Sequence, residues 1–160
     1  MNSLTLTSGD VQTASEILVA SAAALAARGQ PLWPPQSLTP ERLKRHYPDA
    51  GWRVAWQEDQ AVGTFVMLDK DDLFWPDDAP GTALYLHKLA VHPSAQGSGL
   101  ARLLLSEAVE ETRRVGAPFL RLDTASDRAK LRALYEDFGF ETAGERQVGA
   151  YHVVLYSLTV

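Results

Sequence analysis

Apolar and polar residues recur along this chain with two different periods. Short runs that alternate or are apolar throughout predict β-strands, whereas apolar residues three or four positions apart predict helices. Leu4 and Leu6 alternate with threonines and predict a first strand, and further strands are predicted at residues 51–57, 60–68, 82–91, 118–124, 140–146 and 150–160. Helices are predicted at residues 10–28, 40–47, 97–115 and 127–138.

The order of these elements predicts the fold class. Strand pairs joined by short turns stand near both ends of the chain, and one strand–helix–strand unit stands between them. This order is typical of a single α/β (α+β) domain around a mixed, mostly antiparallel sheet of about seven strands with about four helices. We therefore expect one domain over residues 1–160. The last strand, residues 150–160, is expected at an exposed edge, where a second copy of the chain can pair with it as a homodimer.

Composition narrows the classes of function. With 160 residues, 46% hydrophobic and 22% charged, the chain has the composition of a globular domain, and none of its apolar stretches approaches the roughly 18 residues of a membrane span. The absence of cysteine excludes disulfides, thiolate metal sites and a cysteine nucleophile, and it fits a cytoplasmic location. A net charge of -5 predicts no affinity for nucleic acid or membranes, so any anion must be bound locally.

A glycine-bearing loop separates the fourth predicted strand from the third predicted helix, in the sequence LHKLAVHPSAQGSGLARLLL at residues 86–105. The first N–H groups of a helix lack carbonyl partners and lie at the positive end of the helix dipole, so a helix start binds anions such as phosphate. Glycines before the helix let a phosphate approach the backbone closely. The alternative is a tight strand-to-helix turn that binds nothing.

Three other motifs fit the same residues less well. A P-loop requires Gly-Lys-Ser/Thr, which is absent, and a nucleophile elbow requires flanking glycines that Ser98 lacks. A dinucleotide fingerprint starting at Gly97 would place Arg102 where a small residue is needed, although Asp123 stands at a suitable distance. The motif also comes late in a short chain. A dinucleotide-binding oxidoreductase is therefore kept only as a weaker alternative.

Two motifs together resemble one known family. The loop is similar to the cofactor signature of the GNAT superfamily of N-acetyltransferases, Arg/Gln-x-x-Gly-x-Gly/Ala, with Gln96, Gly99 and Ala101 at the matching positions. A second landmark of that family is matched by LYEDFGF, in which Tyr135 precedes a Gly-Phe pair. The resemblance implies a GNAT-like fold, acetyl-CoA as cosubstrate, and transfer of an acetyl group to an amine.

The resemblance also implies which residues bind the cofactor. The diphosphate of acetyl-CoA is expected on the backbone N–H groups of Gln96, Gly97, Ser98, Gly99, Leu100, Ala101 and Arg102. The pantetheine arm is expected to pair like an added strand with Leu89, Ala90 and Val91. Many members carry Asn seven residues before the tyrosine, where this chain has Arg128. An arginine at that position can still reach a phosphate.

Three catalytic roles follow from the same resemblance. Tyr135 is implied as the general acid that protonates the CoA thiolate, and the backbone N–H of Val91 as the donor to the acetyl carbonyl. In the arylalkylamine branch of the family, which HKLAVHP resembles, a histidine at the position of His87 deprotonates the amine. The alternatives are a core tyrosine that anchors its helix and a packed, hydrogen-bonded histidine.

Strand periodicity predicts how the histidines are oriented. A period of two places His87 on the same face as Val91 and places His92 on the opposite face, which argues against a shared metal ion. His46 and His152 have no ligand spacing. We therefore expect no metal site.

The acceptor is the least defined part of the prediction. Five aromatic residues are candidates for an amine pocket: Trp33, Trp52, Trp56, Phe74 and Trp75. Five aspartates are candidates for attracting a cation: Asp69, Asp71, Asp72, Asp77 and Asp78. Buried core tryptophans and a solvated acidic turn are the alternatives. The acceptor is expected to be a primary amine of a small molecule or peptide, and the alternative function is a non-catalytic acyl-CoA-binding or regulatory domain.

Overall fold

The elements follow the chain in the order that the hydrophobic pattern predicts, within a few residues at each end. The structure, a computed structural model, describes residues 4–160. Its strands are β1 (Leu4–Ser8), β2 (Trp52–Gln57), β3 (Gln60–Leu68), β4 (Ala83–Val91), β5 (Phe119–Ala125), β6 (Glu141–Val148) and β7 (Tyr151–Thr159). Its helices are α1 (Val11–Ala27), α2 (Pro40–His46), α3 (Leu100–Arg114) and α4 (Ala129–Phe138). Short 3-10 turns lie at Pro35–Ser37, Asp49–Gly51 and Pro93–Ala95.

The seven strands form one mixed sheet in the order β1-β2-β3-β4-β5-β7-β6. β4 pairs with β5 in parallel, and the pairs β1–β2, β2–β3, β5–β7 and β6–β7 are antiparallel. The predicted fold class is confirmed. The mostly parallel sheet that binds dinucleotides has a different topology, which argues against the oxidoreductase alternative.

The expectation that the last strand lies at an edge is wrong. β7 pairs with β5 on one side and with β6 on the other. The final hairpin is therefore inserted so that its second strand is internal, and the edge position falls to β6. A homodimer formed by pairing through the last strand loses its support.

The chain divides into two compact units, and each unit consists of two segments. The first contains residues 4–67 and 88–104, with β1, β2, β3, α1 and α2. Its hairpin of β2 and β3 carries a register shift between Ala55 and Trp56. Its largest fully buried side chains are Ile17, Leu18, Leu38, Leu43, Trp52, Val54, Phe65, Leu100 and Leu104. The second unit contains residues 68–87 and 105–160.

Helix α1 begins and ends where local signals place its caps. The Asp10 carboxylate accepts a hydrogen bond from the Thr13 N–H at 3.0 Å, as an N-cap side chain does. Gly29, with φ +75°, follows the last turn. Among residues 4–160, none of the helices combines the length and the apolar character needed to cross a membrane.

The end of β4 approaches β3 closely because β3 carries a glycine. A Cβ atom at Gly63 would lie 2.7 Å from Leu104 Cδ1 and 3.3 Å from the Ala90 carbonyl oxygen. The His92 N–H donates to the Val62 carbonyl at 2.8 Å. The backbone of β4 and the start of the following loop are therefore fixed against β3.

The second unit is organised around β5 and β7, which pair from Phe119↔Thr159 to Ala125↔Val153. β4 joins β5 in parallel over Ala83–Tyr85. Gly139, with φ +124°, ends α4 by donating its N–H to carbonyls of the last turn. A loop at residues 69–82 connects β3 to β4.

Candidate active site

The turn at residues 96–99 adopts backbone conformations that favour glycine at two positions. Gly97 has φ +81° and Gly99 has φ +78°, both in the left-handed region. A Cβ built on either residue would meet no heavy atom within 4 Å. The glycines are therefore required by the backbone conformation rather than by packing against neighbouring groups, and the space beside them is open.

The same turn presents unpaired backbone donors. The first bond of the α3 ladder runs from the Leu103 N–H to the Gly99 carbonyl at 3.3 Å. Within residues 4–160, no backbone carbonyl accepts from the N–H groups of Gly97, Ser98 or Gly99. With the positive end of the α3 dipole behind them, these N–H groups form an anion-binding arrangement.

Side chains hold this turn in place. The Gln96 amide donates to the Val91 carbonyl at 3.3 Å and accepts from the Arg28 guanidinium at 3.2 Å. The Ser98 hydroxyl donates to the Ala95 carbonyl. Arg28, at the end of α1, is not predicted as a site residue because the bond joins residues far apart in the sequence. His92 caps the short turn after it by accepting from the Ser94 N–H at 3.1 Å.

Strand β4 contains an irregularity that the sequence pattern hides. Lys88 has φ +54°, which is uncommon for a residue other than glycine, and its ammonium lies 4.7 Å from the centre of the Trp33 ring. Alternation of side chains cannot be counted through such a residue. The argument that His87, Leu89 and Val91 share one face is therefore not valid in this structure.

Tyr135, from the second motif, lies in the second unit on α4. Its ring is buried, packed edge-on against Phe140 with centroids 5.8 Å apart and tilted against Tyr156 at 5.9 Å. Burial, with smaller contributions from the charges of Asp123 and Tyr156, raises the pKa of the Tyr135 hydroxyl. The hydroxyl is therefore protonated throughout the neutral range.

His87 lies beside two carboxylates. Its Nε2 atom lies 3.2 Å from Asp71 Oδ2, and the two side chains are only 14% and 6% exposed. Asp123, on β5, completes a group whose nitrogen and carboxylate atoms lie within 4.8 Å of one another. Histidine spacing does not reveal this group, since two of its three members are aspartates from separate elements.

Asp71 is held by the backbone of its own loop. Its Oδ1 atom accepts from the N–H groups of Leu73 at 3.1 Å and Phe74 at 3.0 Å. Burial by itself would raise the pKa of this carboxyl group, but the interaction with His87 and the two N–H groups outweigh it, and the pKa lies below its ordinary value of 3.8. Asp71 is therefore an anion at neutral pH.

A second aspartate anchors the same loop. Asp78 accepts from the Arg121 guanidinium at 2.6 Å and from the Tyr85 hydroxyl. Tyr85 and Arg121 form the last pair in the β4–β5 register, and Arg121 also lies over the Trp75 ring at 4.8 Å. Burial and the hydrogen bond to Asp78 raise the pKa of the Tyr85 hydroxyl. The loop is thereby fixed to the strands at the point where their pairing ends.

The aspartates of the loop at residues 69–82 are thus of two kinds. Three are exposed, as expected for a solvated turn: Asp69, Asp72 and Asp77. The other two, Asp71 and Asp78, are less exposed and accept hydrogen bonds. Aspartate side chains commonly accept hydrogen bonds from backbone N–H groups that follow them, but the sequence does not indicate which aspartate of the loop does so.

The predicted aromatic residues are distributed over both units. Trp52 is fully buried in the core, and Trp56 donates its indole N–H to Thr7 at 2.9 Å. Trp33 lies under Lys88 in the first unit, while Phe74 and Trp75 belong to the loop of the second. Trp52 and Trp56 therefore serve packing and strand connection.

Arg128 stands at the N-cap position of α4, where its side chain makes no capping hydrogen bond. Its backbone N–H donates to the Ala125 carbonyl at 3.1 Å, and its Nε atom lies 3.9 Å from Asp127. Asparagine is a favourable N-cap residue, and it is the residue that many members of the family resembled by this chain carry at this position.

Known proteins similar to this chain share one chemistry in their names. A model of the Acetyltransferase (GNAT) family matches residues 20–140. The uncharacterised N-acetyltransferase YesJ of Bacillus subtilis (strain 168) is 28% identical over 116 residues, which are 69% of this chain and 64% of that protein. The L-methionine sulfoximine/L-methionine sulfone acetyltransferase of Salmonella typhimurium (strain LT2) is 41% identical over 64 residues, 39% of this chain and 37% of that protein. The chain thus spans less than two thirds of the length of either relative.

Solved structures agree at the level of the fold. The yncA acetyltransferase of Salmonella typhimurium, whose structure holds its cofactor acetyl-CoA, superposes with a TM-score of 0.67 at 21% identity, over 99% of this chain and 94% of that chain. At this identity the similarity concerns the fold alone. Since the family model covers most of the sequence, the chain belongs to the GNAT family of acetyltransferases.

Proposed function

We propose that the chain, acting as a single domain over residues 1–160, transfers the acetyl group of acetyl-CoA to a primary amine. The observation that carries this proposal is the turn at residues 96–99, where two left-handed glycines and unpaired N–H groups precede a long helix. Membership of the family supports the same cosubstrate. One similar protein is named for acetylating amino-acid analogues, so small amines are the first acceptors to test, followed by peptides.

In this proposal the diphosphate binds to the N–H groups from Gly97 to Arg102. The predicted contribution of the Gln96 N–H is corrected, because that group donates to the Pro93 carbonyl at 3.4 Å. The pantetheine arm pairs with the backbone of Leu89, Ala90 and Val91, and the Arg128 guanidinium contacts a phosphate. An overall charge of -5 gives no general attraction for this anionic cosubstrate, so the local donors and the helix dipole must supply the binding energy.

The proposed reaction is direct transfer with balanced proton movements. His87 takes one proton from the ammonium form of the acceptor and releases it to solvent. The neutral nitrogen then forms a bond to the acetyl carbon, whose oxygen is stabilised by the Val91 N–H. The carbon–sulfur bond breaks, Tyr135 protonates the thiolate, and the second proton lost by the nitrogen restores the tyrosine.

The burial of Tyr135 bears on its role as the acid. A raised pKa keeps the proton on the hydroxyl, so the donor form is present at every neutral pH. The same shift makes full ionisation costly. We therefore propose that Tyr135 gives its proton to the thiolate as the carbon–sulfur bond breaks and regains one from the nitrogen, so that a free tyrosinate does not accumulate.

The test is a panel of amines assayed for the release of free CoA thiol from acetyl-CoA. Amino-acid analogues, arylalkylamines, polyamines and peptide N-termini represent the acceptor classes. We expect at least one class to accelerate thiol release well above the rate without amine. If acetyl-CoA binds but no amine accelerates release, the chain is instead an acyl-CoA-binding domain without turnover.

A further inference from the structure

We propose that Asp71 is the positioning residue for His87: its carboxylate lies against the neutral imidazole and stabilises the imidazolium formed when His87 takes the acceptor's proton. This inference rests on the proposed function, in which His87 is the base. It adds the loop at residues 69–82 to the catalytic apparatus and assigns a role to one of five aspartates.

The contact itself supports the assignment. His87 Nε2 and Asp71 Oδ2 lie 3.2 Å apart, and neither side chain is more than one-seventh exposed. A carboxylate with so little contact with water is weakly screened, so it acts on an imidazolium more strongly than a surface partner would. A carboxylate beside one ring nitrogen also favours one orientation and one tautomer of a histidine base.

Asp71 is rigid enough to position another residue. Its second oxygen accepts two backbone N–H groups, and its carbonyl accepts from the Trp75 N–H at 2.9 Å. Asp78, seven residues later, ties the loop to Arg121 and Tyr85. Local hydrogen bonds therefore hold Asp71 within its loop, and Asp78 fixes the far end of the segment to β4 and β5.

The other ionisable groups near His87 are carboxylates, which favour a positively charged acceptor beside the imidazole. Asp123 on β5 belongs to the same 4.8 Å group, and its charge also acts on Tyr135 of α4. Asp71 contributes a second negative charge from the loop. Two carboxylates around one imidazole favour an acceptor that arrives as an ammonium ion, which is the form that requires a base.

The test compares Asp71→Asn with Asp72→Asn. Asparagine keeps the size of the side chain and the oxygen that accepts from the loop backbone, while Asp72 is 79% exposed and pairs only loosely with Lys70 at 3.5 Å. We expect Asp71→Asn to lower kcat by about tenfold or more with KM for acetyl-CoA unchanged. The acid limb of its pH–rate profile should move to lower pH, because the anion that favours the imidazolium is gone. Asp72→Asn should match the native chain.

Two further variants separate positioning from a structural role. Asp71→Glu retains the carboxylate and should retain the native pH profile. In a His87→Ala background, Asp71→Asn should cause little further loss of kcat, since the residue acts through His87. Equal effects of Asp71→Asn and Asp72→Asn, or an undiminished loss in the His87→Ala background, would overturn the proposal.

A readout without turnover keeps this inference separate from the proposed function. Crystal structures should show the His87 imidazole in one orientation in the native chain and in a different or mixed orientation in Asp71→Asn, whether or not any amine is acetylated. An imidazole that keeps its native position in Asp71→Asn would contradict the positioning role. Treatment with EDTA should leave the native rate unaltered; a loss of rate that Zn²⁺ restores would assign Asp71, His87 and Asp123 to a metal ion instead.

Discussion

At the scale of single residues, the proposed chemistry depends on Tyr135 and His87, and the groups that surround each of them come from other elements. The motifs around them are enough to identify both residues as candidates. Their surroundings have no such signal, because the partners come from other elements: Phe140 and Tyr156 pack on the tyrosine, and Asp71 pairs with the histidine. Backbone hydrogen bonds within the loop determine which of its aspartates is buried, and the run of acidic residues in the sequence does not specify those bonds.

Replacing Tyr135 by phenylalanine tests the acid role. The ring can keep its packing against Phe140 and Tyr156, and only the hydroxyl is lost. We expect kcat to fall by about 10²-fold or more, with the Kd of acetyl-CoA nearly unchanged. The control is Tyr151→Phe, at an exposed tyrosine, which should have native kinetics. A fully active Tyr135→Phe variant would remove the tyrosine from the mechanism.

The lowered pKa of Asp71 predicts how the free energy of unfolding depends on pH. A carboxyl group whose pKa is lowered by folding stabilises the folded state above its unfolded pKa and loses that contribution as the pH falls through the folded value. The part of the unfolding free energy that comes from the ionisation of Asp71 should therefore be lost below about pH 3.8, and the difference between the native chain and Asp71→Asn should shrink there. Denaturant titrations at a series of pH values measure it. A difference that grows as the pH falls below about 3.8 would contradict the lowered pKa.

At the scale of elements, helices and strands are predicted well because each has a clear period, but irregular backbone is not. Lys88 is the main example. Its left-handed conformation interrupts β4, while the side chains around it still resemble a continuous strand. A positive φ at lysine has no signal in the sequence, unlike the same conformation at the glycines of the turn after β4.

A substitution in the turn at residues 96–99 tests whether this element binds the cofactor. Gly99→Ala should lower the unfolding free energy by about 1 kcal/mol, since alanine is strained at a φ of +78°. It should also weaken acetyl-CoA binding on the order of tenfold, about 1.4 kcal/mol. Gly149→Ala is the matched control, because Gly149 has φ +58° in open space in the final hairpin. It should lose similar stability and keep native affinity. Equal affinity in both variants would show that the turn does not bind the cofactor.

At the scale of the whole molecule, the order of elements is sufficient for the fold class but not for strand order. A hairpin at the end of the chain can join a sheet by either of its strands, and the sequence contains nothing that decides between them. Here β7 is internal and β6 takes the outer position. The family resemblance covers the central motifs and is confirmed by the match over residues 20–140.

Ligand-linked stability distinguishes the cofactor classes for the intact chain. Acetyl-CoA at a hundred times its Kd should raise the unfolding free energy by about 2.7 kcal/mol, because it binds only the folded state. NAD(P) at the same concentration should cause no comparable change. Thermal denaturation with each compound measures this directly. Stabilisation by NAD(P) alone would favour the dinucleotide alternative.

The most direct measurement is a crystal structure of the chain with acetyl-CoA bound. The expected result is a diphosphate that accepts hydrogen bonds from the backbone N–H groups of Gly97 to Ala101, with the pantetheine arm paired to Leu89–Val91. A diphosphate bound elsewhere, with the N–H groups of this turn still facing solvent, would contradict the central claim about how the chain binds its cosubstrate.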